Sequence, residues 1–129
     1  METQEAARRW ASEWRAAWVA ADAGRVEALY APDAGFRVHP FRALQGPGDY
    51  ARWAFSAQAS AECWFGEPLV AGERAAVEYW AVVRDADGEE ETIAGVSLLR
   101  FRGDGLVVEQ HDYWAGTAGR REPYDGFGR

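Results

Sequence analysis

The first part of the chain carries hydrophobic residues at the period of a helix. Trp10, Trp14 and Trp18 are spaced four residues apart, so they fall on one face of a helix predicted over residues 4–22. Charged residues occupy most of the other side. This pattern predicts an amphipathic helix whose indole rings face the core.

Shorter elements, separated by Pro and Gly, are predicted next. The pattern indicates a short helix over residues 26–32, a strand over residues 36–39 that ends at Pro40, and a third helix that begins at Asp49. We expect these elements to connect the first helix to a sheet.

From residue 60 the hydrophobic period changes to two. The alternation predicts strands over residues 61–70, 75–84, 92–101 and 106–114, joined by short loops rich in Gly and Asp. Three helices followed by such strands predict an α+β domain, with the helices packed on a strongly curved antiparallel (mixed-edge) sheet around a conical cavity. Residues 115–129 are expected to form a tail or flap over the rim, within a single domain over residues 1–129.

Composition narrows the function classes. The net charge of −7 argues against nucleic acid, and no apolar run approaches the ~20 residues of a membrane span. The N-terminal residues lack the pattern of a signal peptide, so we expect a cytoplasmic protein. The sequence has no Lys, one Cys and two His, which excludes Schiff-base chemistry and a spaced zinc motif. We therefore expect no metal and no cofactor.

The order of these elements resembles the NTF2-like superfamily, which includes SnoaL-like polyketide cyclases, ketosteroid isomerases, scytalone dehydratase and limonene epoxide hydrolases. The resemblance rests on the Trp-rich first helix, residues 29–34 and 77–80, Gly95, and the closing residues 111–114. It implies a cone-shaped fold with a small-molecule pocket. It also implies a homodimer across the convex sheet face, where we place Glu78 and Trp80.

The resemblance suggests one base and one carboxylate in the pocket. His39 precedes Pro40 where ketosteroid isomerases carry their catalytic Asp, and Asp112 matches a catalytic Asp in the last strand of limonene epoxide hydrolases. SnoaL-type cyclases use a His and an Asp together. The isomerases' tyrosine on the first helix has no counterpart, and the epoxide hydrolases' Arg and second Asp fall on Tyr79 and Ala81.

Strand parity adds the remaining site residues. Gln110, Asp112 and Trp114 share one face of the last strand, which the resemblance turns inward, with His111 outward. Tyr79 is expected to point into the cavity and to donate a hydrogen bond. The predicted substrate-binding residues are Trp14, Tyr30, Phe36, Phe41, Trp53, Trp64, Gln110 and Trp114.

Three functional hypotheses follow. The first is a cofactor-independent isomerase, cyclase or dehydratase acting on a small, largely apolar, oxygenated metabolite. In it His39 is the base, Asp112 its acid partner or orienter, and Tyr79 the donor to a developing oxyanion. The second is a non-catalytic binding protein that uses the same cone. The third is an interaction protein whose cone is filled by its own Trp side chains.

Overall fold

Three helices and six strands make up the computed structural model, which describes residues 1–129. The helices are α1 (Thr3–Ala20), α2 (Ala23–Glu27) and α3 (Pro47–Ser56). The strands are β1 (Tyr30–Arg37), β2 (Ser60–Phe65), β3 (Leu69–Ala71), β4 (Arg74–Arg84), β5 (Glu90–Phe101) and β6 (Val107–Ala118). The predicted α+β class is confirmed. None of the helices has the length and apolar character needed to cross a bilayer.

Helix α1 forms as the tryptophan spacing predicts. Trp10 and Trp14 are buried on its inner face, and the small residue Ala17 beside them lets the helix lie close to its neighbours. The helix ends at Ala21, which adopts the left-handed conformation with φ of 56°. Its three indoles are thereby directed at the sheet.

All six strands belong to one sheet of order β1-β6-β5-β4-β2, with β3 also paired to β4. Strand β1 runs parallel to β6, whereas the other pairs are antiparallel. The last strand of the chain thus lies between the first and the fifth. The register places Ser97 opposite Asp112, and Gly95 opposite both Tyr79 and Trp114.

Several predicted elements differ from the structure. The strand predicted over residues 36–39 is β1, which begins at Tyr30 and ends at Arg37, and the strand predicted over residues 106–114 continues to Ala118, four residues into the predicted tail. The helix predicted over residues 26–32 is shorter, because Tyr30 already pairs with Val107 and begins β1. The strand predicted over residues 61–70 is divided into β2 and β3. Pro68 has no N–H to donate to a ladder, so both pieces pair with β4 on either side of residues 66–68.

The main core lies between α1 and the inner, concave face of the sheet. Its fully buried side chains include Trp10, Phe36, Val77, Leu99 and Val107, which come from α1 and four different strands. Because an interior of this kind is close-packed, the core fixes the position of every inward residue on β4, β5 and β6.

Residues 119–129 form a tail on the outer, convex face of the sheet. The indole N–H of Trp80 donates to the carbonyl of Arg121 at 2.8 Å, and the Trp80 ring packs edge-on against Tyr124 and Phe127 at 5.8 and 5.7 Å. The tail was expected at the rim, and Trp80 was expected in a dimer interface. In the structure the chain's own tail covers this part of the outer face, and the dimer interface stays a prediction.

Candidate active site

A narrow cavity of about 40 Å3 lies between α1, α3 and the inner face of the sheet. Its lining is mostly aromatic, with three polar side chains on β5 and β6. The lining residues are Trp10, Trp14, Trp18, Val38, Tyr50, Ala54, Phe55, Phe65, Tyr79, Ser97, Gln110 and Asp112. The tryptophans therefore fill much of the cone without closing it.

Asp112 is the ionisable carboxyl group of this cavity. Its position in the middle of β6, opposite Ser97, leaves it 7% exposed. Burial raises the pKa of Asp112 to about 7, while the Ser97 hydroxyl and the Gln110 amide act in the opposite direction. The carboxyl group can therefore take up or release a proton near neutral pH.

A chain of buried hydrogen bonds leads to this carboxyl group from α1. The indole N–H groups of Trp10 and Trp14 donate to the Tyr30 hydroxyl at 3.1 and 2.8 Å. The Tyr30 hydroxyl donates to Oε1 of Gln110, and Nε2 of Gln110 donates to Oδ1 of Asp112 at 3.0 Å. One oxygen of Asp112 is thus held by the protein.

Two tyrosines face the same space as Asp112. Tyr50 on α3 and Tyr79 on β4 both line the cavity, and neither hydroxyl is hydrogen-bonded to another atom of the protein. Burial, followed by the negative charge of Asp112, raises the pKa of Tyr50 to about 12 and raises that of Tyr79 as well. Both phenols therefore stay protonated near neutral pH and can donate to a ligand oxygen.

A wider cleft of about 350 Å3 adjoins the cavity. Trp18, Tyr50 and Ala54 belong to the walls of both spaces, so the cleft and the cavity are neighbours separated by these side chains. Its other walls carry two indole rings, one guanidinium and an acidic hairpin. These residues include Arg42, Trp53, Trp114, Asp85, Glu89, Glu90 and Glu91. No three His, Cys, Asp or Glu side chains are grouped to hold a metal ion.

The structure does not bring His39 and Asp112 into one cavity. The half-buried His39 ring packs against Trp114 at 5.1 Å, and its Nδ1 accepts the Phe41 N–H at 3.2 Å. Val38, the preceding residue, lines the cavity. His39 itself follows the end of β1 at Arg37 and is not among the residues that line the cavity.

The remaining predicted residues divide into three groups. Trp14, Tyr79, Gln110 and Asp112 lie on the cavity wall, as expected. Trp53 and Trp114 line the outer cleft instead.

The third group lies away from both spaces. Tyr30 and Phe36 are buried in the core beneath the cavity, and Phe41 is 91% exposed. Trp64 is on the outer face of β2, opposite Trp80, because Cys63 and Phe65 take the inward positions. A one-residue difference in strand parity accounts for Trp64.

Several lining residues were not predicted. Trp10 and Trp18 belong to the same helical stripe as Trp14, and Tyr50 lies one helical turn before Ala54 on α3. Ser97 could have been found from its place two residues after Gly95 on the inward face of β5. The spacing of these residues along the sequence was a signal for an inward position, but the same spacing is expected of residues that only pack in the core.

The family model of the SnoaL-like domain matches residues 11–110. The chain therefore belongs to the SnoaL-like domain family, as the resemblance implied. None of the curated protein sequences is significantly similar to it.

Solved structures share the fold at low sequence identity. The epoxide hydrolase/cyclase-like enzyme SalBIII, described in pyran ring formation in the polyether salinomycin, is 13% identical over 90% of this chain and 99% of its own, with a TM-score of 0.75. RV0760c from Mycobacterium tuberculosis is 17% identical over 92% and 100%, also at 0.75. An LEH-like epoxide hydrolase from M. tuberculosis is 15% identical over 88% and 86%, at 0.67. These likenesses establish the NTF2-like fold.

Proposed function

We propose that this chain is an acid–base enzyme that moves a proton on a small, largely apolar, oxygenated molecule. The observation that carries the proposal is the Asp112 carboxyl group, which has a pKa of about 7 inside an aromatic cavity. A carboxylate with this pKa is well matched to proton abstraction at neutral pH, because the pKa of the base lies close to the pH at which it works.

The two unpartnered phenols supply the other half of the chemistry. While Asp112 accepts a proton from the substrate, Tyr79 and Tyr50 donate hydrogen bonds to the substrate oxygen on which negative charge develops. Asp112 then returns the proton at another atom, which gives an isomerisation, a ring closure or a dehydration. His39 has no part in this step, since it lies outside the cavity.

The dimensions of the site restrict the substrate. A cavity of about 40 Å3 has room for roughly three water molecules, so it can hold only the reactive end of a larger molecule. The adjoining cleft of about 350 Å3 is large enough for the remaining part. We therefore propose an elongated substrate whose narrow oxygenated end passes Trp18.

Two structural neighbours fit this reaction class. One is named as an epoxide hydrolase/cyclase-like enzyme in pyran ring formation and the other as an epoxide hydrolase. Both kinds of reaction require a proton to move to or from a substrate oxygen. Ring closure is therefore included among the reactions to be tested.

The test uses proton exchange, which requires no knowledge of the natural product. The protein is incubated in D2O with a panel of cyclic ketones, hydroxyketones and hydroxyepoxides, and deuterium incorporation and product formation are followed by NMR and mass spectrometry. The Asp112→Asn variant should lose about 10²–10⁴-fold of the rate, and wild-type kcat/KM should rise with pH through about 7.

Asp33→Asn, which alters an exposed carboxylate on β1, is the matched control and should keep the full rate. A rate that survives in Asp112→Asn would contradict the proposal.

A binding protein is the second candidate. It is favoured by the mostly aromatic lining of the cavity, which offers ring surfaces for a ligand to pack on whether or not the ligand is converted. In that case panel members bind and quench tryptophan fluorescence, but none exchanges a proton or is converted.

A further inference from the structure

The hydrogen-bond chain beneath the cavity has only one possible direction. An indole N–H is a donor and never an acceptor, so Trp10 and Trp14 oblige the Tyr30 oxygen to accept twice. The single Tyr30 hydrogen is then available for Gln110, whose Oε1 accepts it. This arrangement turns the amide so that its NH₂ group faces Asp112.

The opposite orientation of the amide would be unfavourable. It would bring the Gln110 oxygen against Oδ1 of Asp112, placing two acceptors together, and would leave the Tyr30 hydrogen without its partner. Gln110 is 1% exposed, and Tyr30 is also buried. Bulk water is therefore excluded from correcting a reversed amide.

We infer that Tyr30 is a positioning residue for the proposed reaction: through Gln110 it fixes a hydrogen-bond donor on Oδ1 of Asp112. The other oxygen, Oδ2, is thereby left to exchange the proton with a substrate. Tyr30 lies outside the cavity and touches no substrate, so it acts through the groups bonded to its hydroxyl: the Gln110 amide, which reaches Asp112, and the two indoles that fix the direction of the chain. This inference rests on the proposed function for its catalytic meaning, but the hydrogen-bond chain can be tested without a substrate.

The surroundings of Asp112 allow this effect to be isolated. The titratable groups that face it are three phenols: Tyr50 from α3, Tyr79 from β4 and Tyr30 from β1. No other charged side chain lines the cavity. The cation that lines the adjoining cleft is Arg42, whose charge acts on Tyr50. Among the groups that line the cavity, therefore, Asp112 is the one that changes charge near neutral pH.

The experiment is a pH titration of Asp carboxyl carbons by 13C NMR in the intact chain. Asp112→Asn assigns the resonance, and wild type is compared with Tyr30→Phe. Without the Tyr30 hydroxyl the amide is free to turn its oxygen toward a protonated Asp112, so the midpoint should move upward by about one pH unit, a tenfold change in proton affinity. Gln110→Met removes the donor with little change in volume and should shift the midpoint in the same direction.

Phe36→Leu is the matched control. Phe36 is equally buried and packs edge-on against Tyr30 at 5.8 Å. Its side chain takes no part in the chain of hydrogen bonds that leads to Asp112. It should destabilise the same region and keep the wild-type midpoint. A Tyr30→Phe midpoint equal to that of wild type, or an equal shift in Phe36→Leu, overturns the inference.

The two proposals fail separately. If wild-type Asp112 titrates in the ordinary carboxyl range, the proposed function fails, whereas the difference between wild type and Tyr30→Phe still decides the positioning role. If wild type titrates near 7 and Tyr30→Phe does the same, the positioning role alone fails.

Discussion

The inner and outer faces of the sheet both carry clusters of aromatic rings, but their polar atoms are treated differently. On the outer face, the Trp80 indole N–H is bonded to the tail, and the Tyr124 hydroxyl reaches Glu78 at 3.4 Å. On the inner face, the hydroxyls of Tyr50 and Tyr79 line the cavity and make no hydrogen bond to the protein. A carboxyl group is buried beside them.

This difference distinguishes an aromatic cluster that only covers the sheet from one that can take part in a reaction. Aromatic rings bury large areas wherever they pack, so their number alone marks no functional site. What distinguishes the inner face is the set of polar groups that open onto its cavity. They are two phenols that make no hydrogen bond to the protein and a carboxyl group whose pKa is raised to about 7, whereas Trp80 and Tyr124 on the outer face are bonded to the chain's own atoms.

The largest effect that tests this comparison is expected on removing the charge of Asp112. Its pKa is raised to about 7 in the folded state, above the unfolded value of ~4, so this group favours folding most below pH 4 and progressively less as the pH rises to 7. Asn stays neutral throughout. Asp112→Asn should therefore be more stable than wild type at pH 8, by up to about 4 kcal/mol.

Urea denaturation at two pH values checks this prediction. The stability advantage of Asp112→Asn over wild type should be about 2 kcal/mol larger at pH 8 than at pH 5.5. The exposed control Asp33→Asn should show no such difference. A variant that is less stable than wild type at pH 8 would mean that the carboxylate is well solvated, and the inner face would then resemble the outer one.

An intermediate effect is expected on the outer face. Trp80→Ala removes the ring that packs against Tyr124 and Phe127 and should reduce the free energy of unfolding by about 2 kcal/mol, because the indole is only half-buried. The tail should also become a trypsin substrate at Arg120 and Arg121, detected by mass spectrometry.

Trp64→Ala provides the comparison for this variant. Trp64 is half-buried on the same face, opposite Trp80, but has no aromatic contact with the tail. In the Trp64→Ala variant the tail should remain protected from trypsin. Equal cleavage of both variants would show that the Trp80 contacts do not hold the tail.

The smallest effect is expected for the ion pairs of the tail. Arg120 contacts Glu62, Glu90 and Glu122 at the surface, where salt screens such pairs. Arg120→Gln should lower Tm slightly at low ionic strength and not at all in about 0.5 M NaCl. Arg121→Gln, which removes no ion pair, should leave Tm unchanged in both. A large loss that persists in salt would show that charge, rather than Trp80, holds the tail.

The sequence predicted those features that depend on local periodicity. The α1 stripe and the alternation of β4 to β6 repeat over many residues, so parity correctly grouped Gln110 with Asp112 and placed Tyr79 on the inner face. His39 and Trp64 come from short segments, in which a shift of one residue reverses the direction of the side chain.

Other features depend on contacts between distant parts of the chain. The bond between Tyr30 and Gln110 requires the parallel pairing of β1 with β6, which no turn specifies. The docking of the tail likewise requires Gly66 to face Gly128, where a Cβ on Gly66 would lie 2.7 Å from the Gly128 Cα. Neither of these contacts is indicated by a sequence pattern within the segments that form it.

The place of β6 in the sheet also has a consequence for folding during synthesis on the ribosome. Trp10 is synthesised about a hundred residues before Gln110, and the strand that bridges β1 and β5 is the last to emerge. Until then the indoles of α1 lack their final partners. The nascent chain therefore exposes a hydrophobic aromatic surface to which chaperones can bind. Closure of the sheet by β6 is a long-range step, so maturation should be slow for a chain of this size.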